Sequence, residues 1–185
     1  FCNIYSSFMQ RAYDNVIHDV AIQDLPVVMC LDRGGIVGED GVTHHGVFDM
    51  AAFGAVPGLT IAAPMDELEL RNMMYTGLQY GHPFMIRYPR GNGAGRLWRG
   101  VPFEALPVGR GRRLREGTDV ALVTVGTVGN AADRAARGEG INGGNVGVLE
   151  RRFAAEGLDG VVRHAVADDN KIFIGVPPYL TMNAV

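Results

Sequence analysis

Two cysteines in 185 residues, a net charge of only −3 and no apolar run approaching a membrane span are the first things this chain is short of. Two thiols cannot make a disulfide scaffold. Runs broken well below about 20 residues exclude a helical membrane span on hydropathy. A balance so near zero removes the electrostatic case for nucleic acid as a partner. The chain opens at Phe1 without a basic leader, so no signal peptide is expected. Cys2 and Cys30 both sit in apolar, strand-like runs and are expected as buried free thiols, which suits a cytoplasmic location. The glycine-rich run Gly91–Gly95 has no Lys-Ser/Thr after it and opens no helix directly, so it is a weak phosphate-loop signal.

What is present is a globular composition, 47% hydrophobic and 20% charged, long enough for one or two cores. Apolar runs and helical periods alternate. Residues 1–5 read as a short strand. Ser6 or Ser7 can cap a helix running to Gln23, with Phe8, Ala12, Tyr13, Val16, Ile17 and Val20 on its apolar side. Val27 to Leu31 is a strand apolar on both faces, the mark of a buried parallel sheet. A short helix over 47–53, a strand over 59–63, a helix started by Asp66 with Glu69 and running to Leu78, and a strand over 84–88 follow. This βαβ order predicts a parallel, doubly wound α/β sheet. Residues 91–107, rich in Gly, Arg and Pro, read as a linker. A strand over 119–126, a helix over 130–137, a glycine tract over 138–147, a helix over 148–155 and a strand over 172–176 then suggest a second α/β unit too short for a sheet of its own.

The densest chemistry lies in residues 32–46, which hold one arginine, three carboxylates, two histidines and five glycines directly after the buried strand. Open α/β sheets bind ligands at the carboxyl ends of their strands, which makes this loop the functional candidate. Three strand ends carry complementary groups: Tyr5, Asp32-Arg33 and Arg87-Tyr88-Pro89-Arg90. On one rim, two guanidiniums and a phenol would clamp a phosphate or carboxylate. The alternative is that each arginine simply pairs with a nearby acid such as Asp32 or Glu39.

The runs Tyr5-Ser6-Ser7-Phe8-Met9-Gln10-Arg11-Ala12-Tyr13-Asp14, Gly38-Glu39-Asp40-Gly41, Thr43-His44-His45-Gly46, Arg87-Tyr88-Pro89-Arg90-Gly91-Asn92-Gly93 and Leu106-Pro107-Val108-Gly109 resemble the 1-deoxy-D-xylulose-5-phosphate synthase family over residues 1 to about 136. The resemblance implies a transketolase-like enzyme that uses thiamine diphosphate and Mg²⁺ to condense pyruvate with glyceraldehyde 3-phosphate, as a homodimer. Its product would feed isoprenoid-precursor, thiamine and pyridoxal phosphate synthesis. It implies a pyrimidine-binding domain over 1–92, a linker over 93–106 and an incomplete C-terminal domain over 107–185 that departs from the family near residues 137–138. Phe8 and Arg11 would meet the cofactor, although Phe8 could equally fill the helix core. Tyr5, Arg33 and Arg90 would bind the acceptor's phosphate. Asp40 and His44 would act at its hydroxyl and aldehyde. His45 reads as a structural loop histidine ahead of a catalytic one, and His18, on a helix, as a structural hydrogen-bonder, with both roles left open. The metal ligands and the activating glutamate would lie outside these residues, and this segment alone would form no product. Two rival readings are a β-type subunit of a 2-oxo-acid dehydrogenase, which would not need the arginine pair, and a non-catalytic fragment.

Overall fold

The structure is a computed structural model that describes residues 1–117 and 120–137, together with the backbone of two further strands at 146–151 and 172–175. Strands β1 (Cys2–Tyr5), β2 (Val28–Asp32), β3 (Thr60–Ala62) and β4 (Phe84–Arg87) form one all-parallel sheet in the order β1-β2-β4-β3. Their apolar content on both faces follows from that pairing, because helices cover parallel sheets on both sides. Side chains alternate across the pleat. Met29, Leu31, Ile61 and Met85 point into one core with Met9, Val16 and Phe53. Val28, Cys30, Ala62, Phe84 and Ile86 point into the other with Met73 and Leu106.

The helical stretch over 6–21 covers the first face. It is built of α turns at α1 (Ser6–Met9) and α2 (Tyr13–Asn15), a 3-10 turn at Gln10–Ala12 and π geometry at Val16–Ala21. It stops two residues short of the expected end, where Leu25 N–H bonds back to the Val20 carbonyl and Asp24 turns the chain at φ 51°. Val16, Ala12, Tyr13, Ile17 and Val20 pack inward as expected, but Phe8 does not join that core. Cys30 is buried, which raises its thiol pKa, whereas Cys2 is exposed, contrary to expectation, because it lies on the edge strand.

The helix α3 (Asp49–Phe53) begins two residues later than the sequence suggested. On the second face lies α4 (Glu67–Tyr80). Its start is as read: the Asp66 carboxylate accepts from Glu69 N–H at 2.8 Å, while the Glu69 carboxylate reaches past it to Met65 N–H, also at 2.8 Å. Gly81 ends the helix in the left-handed region at φ 78°.

The stretch read as a linker is a strap tied along α4. Arg71 donates to the carbonyls of Trp98 (2.5 Å), Val101 (2.9 Å) and Pro102 (2.8 Å), and its guanidinium lies over the Phe103 ring. Thr76 Oγ1 accepts from Leu106 N–H at 2.8 Å, which seats Leu106 in the core.

The second unit makes its own four-stranded sheet, against expectation. Strands β5 (Arg112–Arg115), β6 (Val120–Val125), β7 (Val146–Arg151) and β8 (Ile172–Gly175) take the order β5-β7-β6-β8, with β5 antiparallel and α5 (Val128–Ala136) between β6 and β7. The helix expected over 148–155 is replaced in its first half by β7, and its second half lies outside the described residues. Residues 146–151 pair with β6 in parallel and with β5 in antiparallel fashion, and this long-range pairing overrides the local helical preference of Leu-Glu-Arg. The first unit meets the second at Met65, whose carbonyl accepts from Asn130 Nδ2 at 2.8 Å and whose sulfur lies 3.5 Å from Arg112 Nη2.

Replacing Arg71 with Ala removes three backbone contacts at once. The expected loss is about 1–3 kcal/mol of stability, with faster tryptic cleavage after Arg99. Thermal melting and limited proteolysis measure both, and an unaltered cleavage rate would contradict the strap.

Candidate functional site

Parallel register brings three chain ends to one rim. Tyr5 aligns with Asp32, and Leu31 aligns with Arg87. The loop that leaves β2 is closed at its neck by paired backbone bonds, Gly35 N–H to the Gly46 carbonyl at 2.7 Å and Gly46 N–H to the Gly35 carbonyl at 2.9 Å. A side chain at Gly46 would run into the Arg33 carbonyl and Ser6, and one at Gly34 would strike the Arg87 guanidinium at 2.8 Å. Glycine here is a matter of space. Between the two ends of the neck, short 3-10 turns at Gly38–Asp40 and Val42–His44 present the acidic and imidazole groups.

The arginines do find acids, as the alternative reading held, yet they share one of them. Asp40 accepts from Arg33 Nε at 2.9 Å and lies 3.2 Å from Arg90 Nε. Arg33 Nη1 also meets Asp32 at 3.0 Å, and Arg90 approaches Glu39 at 3.7 Å. Arg33 itself is held at φ 57°, an unusual conformation for a long side chain. Its guanidinium lies 3.8 Å over the Tyr5 ring. Partial desolvation acts to lower the Arg33 pKa, but the Asp40 hydrogen bond and the charges of Tyr5, Asp32 and Asp40 outweigh it and leave it raised. One carboxylate between two guanidiniums is the arrangement that a bound phosphate or carboxylate would reproduce.

Next to this pair is an aromatic platform. Tyr5 and Phe8 stack at 5.0 Å with an interplanar angle of 8°, and His44 stands edge-on to Phe8 at 5.3 Å. Phe8 is exposed, so it fills no helix core. His44 Nδ1 lies 2.9 Å from Thr43 Oγ1, which leaves the other ring nitrogen for a ligand. His45 accepts from Val37 N–H through Nδ1 at 3.2 Å, which braces the loop. Arg11 is exposed on the 3-10 turn beyond Phe8. His18 is bound to Asp14 on its own helix. His82 pairs with Asp24 at 2.9 Å far from the rim, and His164 lies outside the described residues.

A cavity of about 550 Å³ opens beside the arginines, walled by Asp32, Arg33, Tyr88 and Arg90 from the rim, Glu67 from α4 and Asn130 from α5. The Glu67 carboxyl is held below its ordinary value chiefly by its own backbone N–H; desolvation opposes this, and the backbone N–H groups of Ala94, Gly95 and Arg96 add smaller contributions to the lowering. That tie is therefore complete above the ordinary glutamate pKa and weakens only as pH falls through the lower, folded value. Burial, chiefly, raises the Tyr88 pKa, with Cys30 and Asp32 adding to it. Among the described residues no group of three His, Cys, Asp or Glu could hold a metal.

One part of the site was missed from sequence. Arg87 does not face the ligand side; its Nε donates at 2.8 Å to Asp49, which is 3% exposed and also accepts from Ser6 Oγ at 2.9 Å. The available signal was an arginine ending a wholly apolar strand, a charge that needs an internal partner.

Residues 1–95 match the transketolase pyrimidine-binding domain. The chain is 56% identical over 168 residues to 1-deoxy-D-xylulose-5-phosphate synthase of Bacteroides thetaiotaomicron, a match covering 90% of this chain and 26% of that protein. It is 50% identical over 152 residues to the protein of the same name from Gloeobacter violaceus, covering 82% of this chain and 24% of that one. The chain thus spans about a quarter of the length of the curated relatives it matches. A solved transketolase variant from Pichia stipitis superposes with a TM-score of 0.73 at 21% identity, over 94% of this chain and 26% of that one. A split-gene transketolase, described as an inactive β4 tetramer, does so with 0.70 at 19%, over 94% of this chain and 56% of that one. At these identities the structures speak for the fold alone.

If Asp40 fills an anion site, Asp40→Asn should free it. Inorganic phosphate should then bind the chain roughly threefold to tenfold tighter, the scale of one partly exposed ion pair, and lose that gain in high salt. Calorimetry at low and high ionic strength measures this, and equal affinity in both proteins would refute the shared-anion geometry.

Proposed function

The chain belongs to the transketolase pyrimidine-binding domain family, and from that premise we propose that it is the pyrimidine-binding and adjoining C-terminal part of a 1-deoxy-D-xylulose-5-phosphate synthase. In this reading the parent protein condenses pyruvate with glyceraldehyde 3-phosphate, releasing carbon dioxide and forming 1-deoxy-D-xylulose 5-phosphate. The observation that carries it is the Arg33–Asp40–Arg90 bridge beside the Tyr5–Phe8 platform. A phosphorylated acceptor needs such a pair of guanidiniums; the donor and the acceptor of a 2-oxo-acid dehydrogenase β-type subunit do not.

The platform fits thiamine diphosphate. An exposed phenyl ring stacked on a phenol, with an imidazole at its edge, is suited to the flat face of an aminopyrimidine. Phe8 would hold that ring, with Arg11 one helical turn further on. Thiamine diphosphate, when bound, supplies the electron sink for decarboxylation of pyruvate. This chain's residues do the rest of the work assigned to it here. Arg33 and Arg90 would take the acceptor's phosphate as Asp40 withdraws. Tyr5, under the Arg33 guanidinium, keeps that side chain in place. Asp40, once released, would accept a hydrogen bond from the acceptor's hydroxyl. His44 would donate a proton to the oxygen of the aldehyde as it becomes an alkoxide, a step typically worth about 10²–10⁴-fold. Mg²⁺ and the diphosphate would be held by residues outside this chain. A homodimer, a cytoplasmic location and a role in isoprenoid-precursor, thiamine and pyridoxal phosphate synthesis belong to the same proposal. No described helix is long and apolar enough to cross a membrane.

In the full-length parent, Arg90→Ala should raise the KM for glyceraldehyde 3-phosphate roughly tenfold to a hundredfold, as expected for one lost charge-assisted contact of about 1.5–3 kcal/mol. The KM for pyruvate should change little. Equal effects on both substrates would assign Arg90 to the fold. His44→Ala should slow turnover by about 10²-fold or more while calorimetry still finds thiamine diphosphate bound; loss of the cofactor together with activity would contradict the assignment.

A further inference from the structure

The buried polar cluster beneath the loop takes no part in the scheme above, and it is the best-satisfied group at the rim. Asp49 Oδ2 takes two hydrogen bonds, from Arg87 Nε at 2.8 Å and Ser6 Oγ at 2.9 Å, while Oδ1 accepts from Met50 N–H at 2.8 Å. Arg87 lies along Gly34, and its Nη2 points to the Gly46 carbonyl at 3.4 Å. Ser6 packs on Gly46 from the other side. The three side chains come from the end of β4, the start of α3 and the first turn of α1. Together they grip both ends of the loop neck, Gly34 and Gly46, and one of them, Ser6, directly follows Tyr5 in the chain.

The consequence is geometric. His44 and Asp40 sit on the loop, whereas Tyr5 and Phe8 sit on β1 and α1. The neck sets their separation together with the ring contacts that His44 makes with Tyr5 and Phe8, and the cluster is where the two supports are joined: Ser6 belongs to the platform's helix and Asp49 to the segment leaving the loop. A small displacement between reacting groups costs rate steeply. We propose that Ser6, Asp49 and Arg87 are positioning residues that fix the loop carrying His44 and Asp40 against the Tyr5–Phe8 platform. The assignment rests on the synthase reading for its kinetic consequence but not for its structural one.

The test uses the full-length parent protein, with Ser6→Ala and Asp49→Asn compared with the unaltered protein by two readouts. The first is hydrogen–deuterium exchange. Peptides spanning 34–46 should exchange at least fivefold faster in Ser6→Ala, while those of β3 and α4 remain as they were. The second is a kinetic split. For glyceraldehyde 3-phosphate, kcat/KM should fall tenfold or more, while the pyruvate KM and the thiamine diphosphate Kd move less than twofold. A general loss of folded protein cannot produce that split. Should Asp49→Asn fail to fold, Ser6→Ala, which removes one hydroxyl, decides alone. Unchanged exchange over 34–46 overturns the proposal, and so does faster exchange with both substrates affected equally. A parent with no synthase activity overturns the functional reading instead, and the exchange result still judges the cluster.

Discussion

A charge at the carboxyl end of a strand buried on both faces has little water to turn to. Arg87 is in that position, and Asp49 is its answer. The pair is closed off by Ser6 and by backbone groups, so the two charges have the additional hydrogen bonds without which burial of an ion pair is unfavourable. Much of the site follows from it. Glycine is required at 34 and 46 because the cluster and the Arg33 carbonyl occupy the space a side chain would need. The loop neck is consequently narrow, its backbone groups pair across it, and the residues between project over the rim.

Above that foundation the chemistry is one of competing anions. Asp40 satisfies Arg33 and Arg90 from within the chain. Both guanidiniums are partly solvated, so the internal pairing is worth little more than a surface ion pair. In the proposed function a phosphate, with more negative charge and more acceptor oxygens, would displace it, and the Asp40 carboxylate would then be available to the acceptor. Arg33, stacked on Tyr5 and lining the cavity, links the anion side of the rim to its aromatic side.

The sheet was legible because its signals are local: apolar runs of strand length, capping residues at Asp66 and Glu69, and strand ends rich in Arg and Tyr. The rim residues were legible for the same reason, since parallel strands place their carboxyl ends together. What escaped was non-local. The β7 strand exists through pairing with β5 and β6, partners far away in sequence, and its own residues read equally well as a helix. Phe8 fitted the apolar stripe of its helix, and only the fold turns it to Tyr5. The Arg71 strap and the Asp49–Arg87 pair join residues some thirty to forty positions apart, beyond any periodicity. Asp40 was expected at the acceptor, but its bridge between two arginines depended on the loop's curl.

The central claim is that the space Asp40 holds between Arg33 and Arg90 belongs to the acceptor's phosphate. A crystal structure of the full-length parent with glyceraldehyde 3-phosphate, or with an unreactive phosphate ester of the same length, tests it most directly. The account predicts phosphate density between the two guanidiniums, with the Asp40 carboxylate turned away and His44 nearer the aldehyde end than the phosphate. Phosphate bound elsewhere, with Asp40 still bridging both arginines, would contradict it.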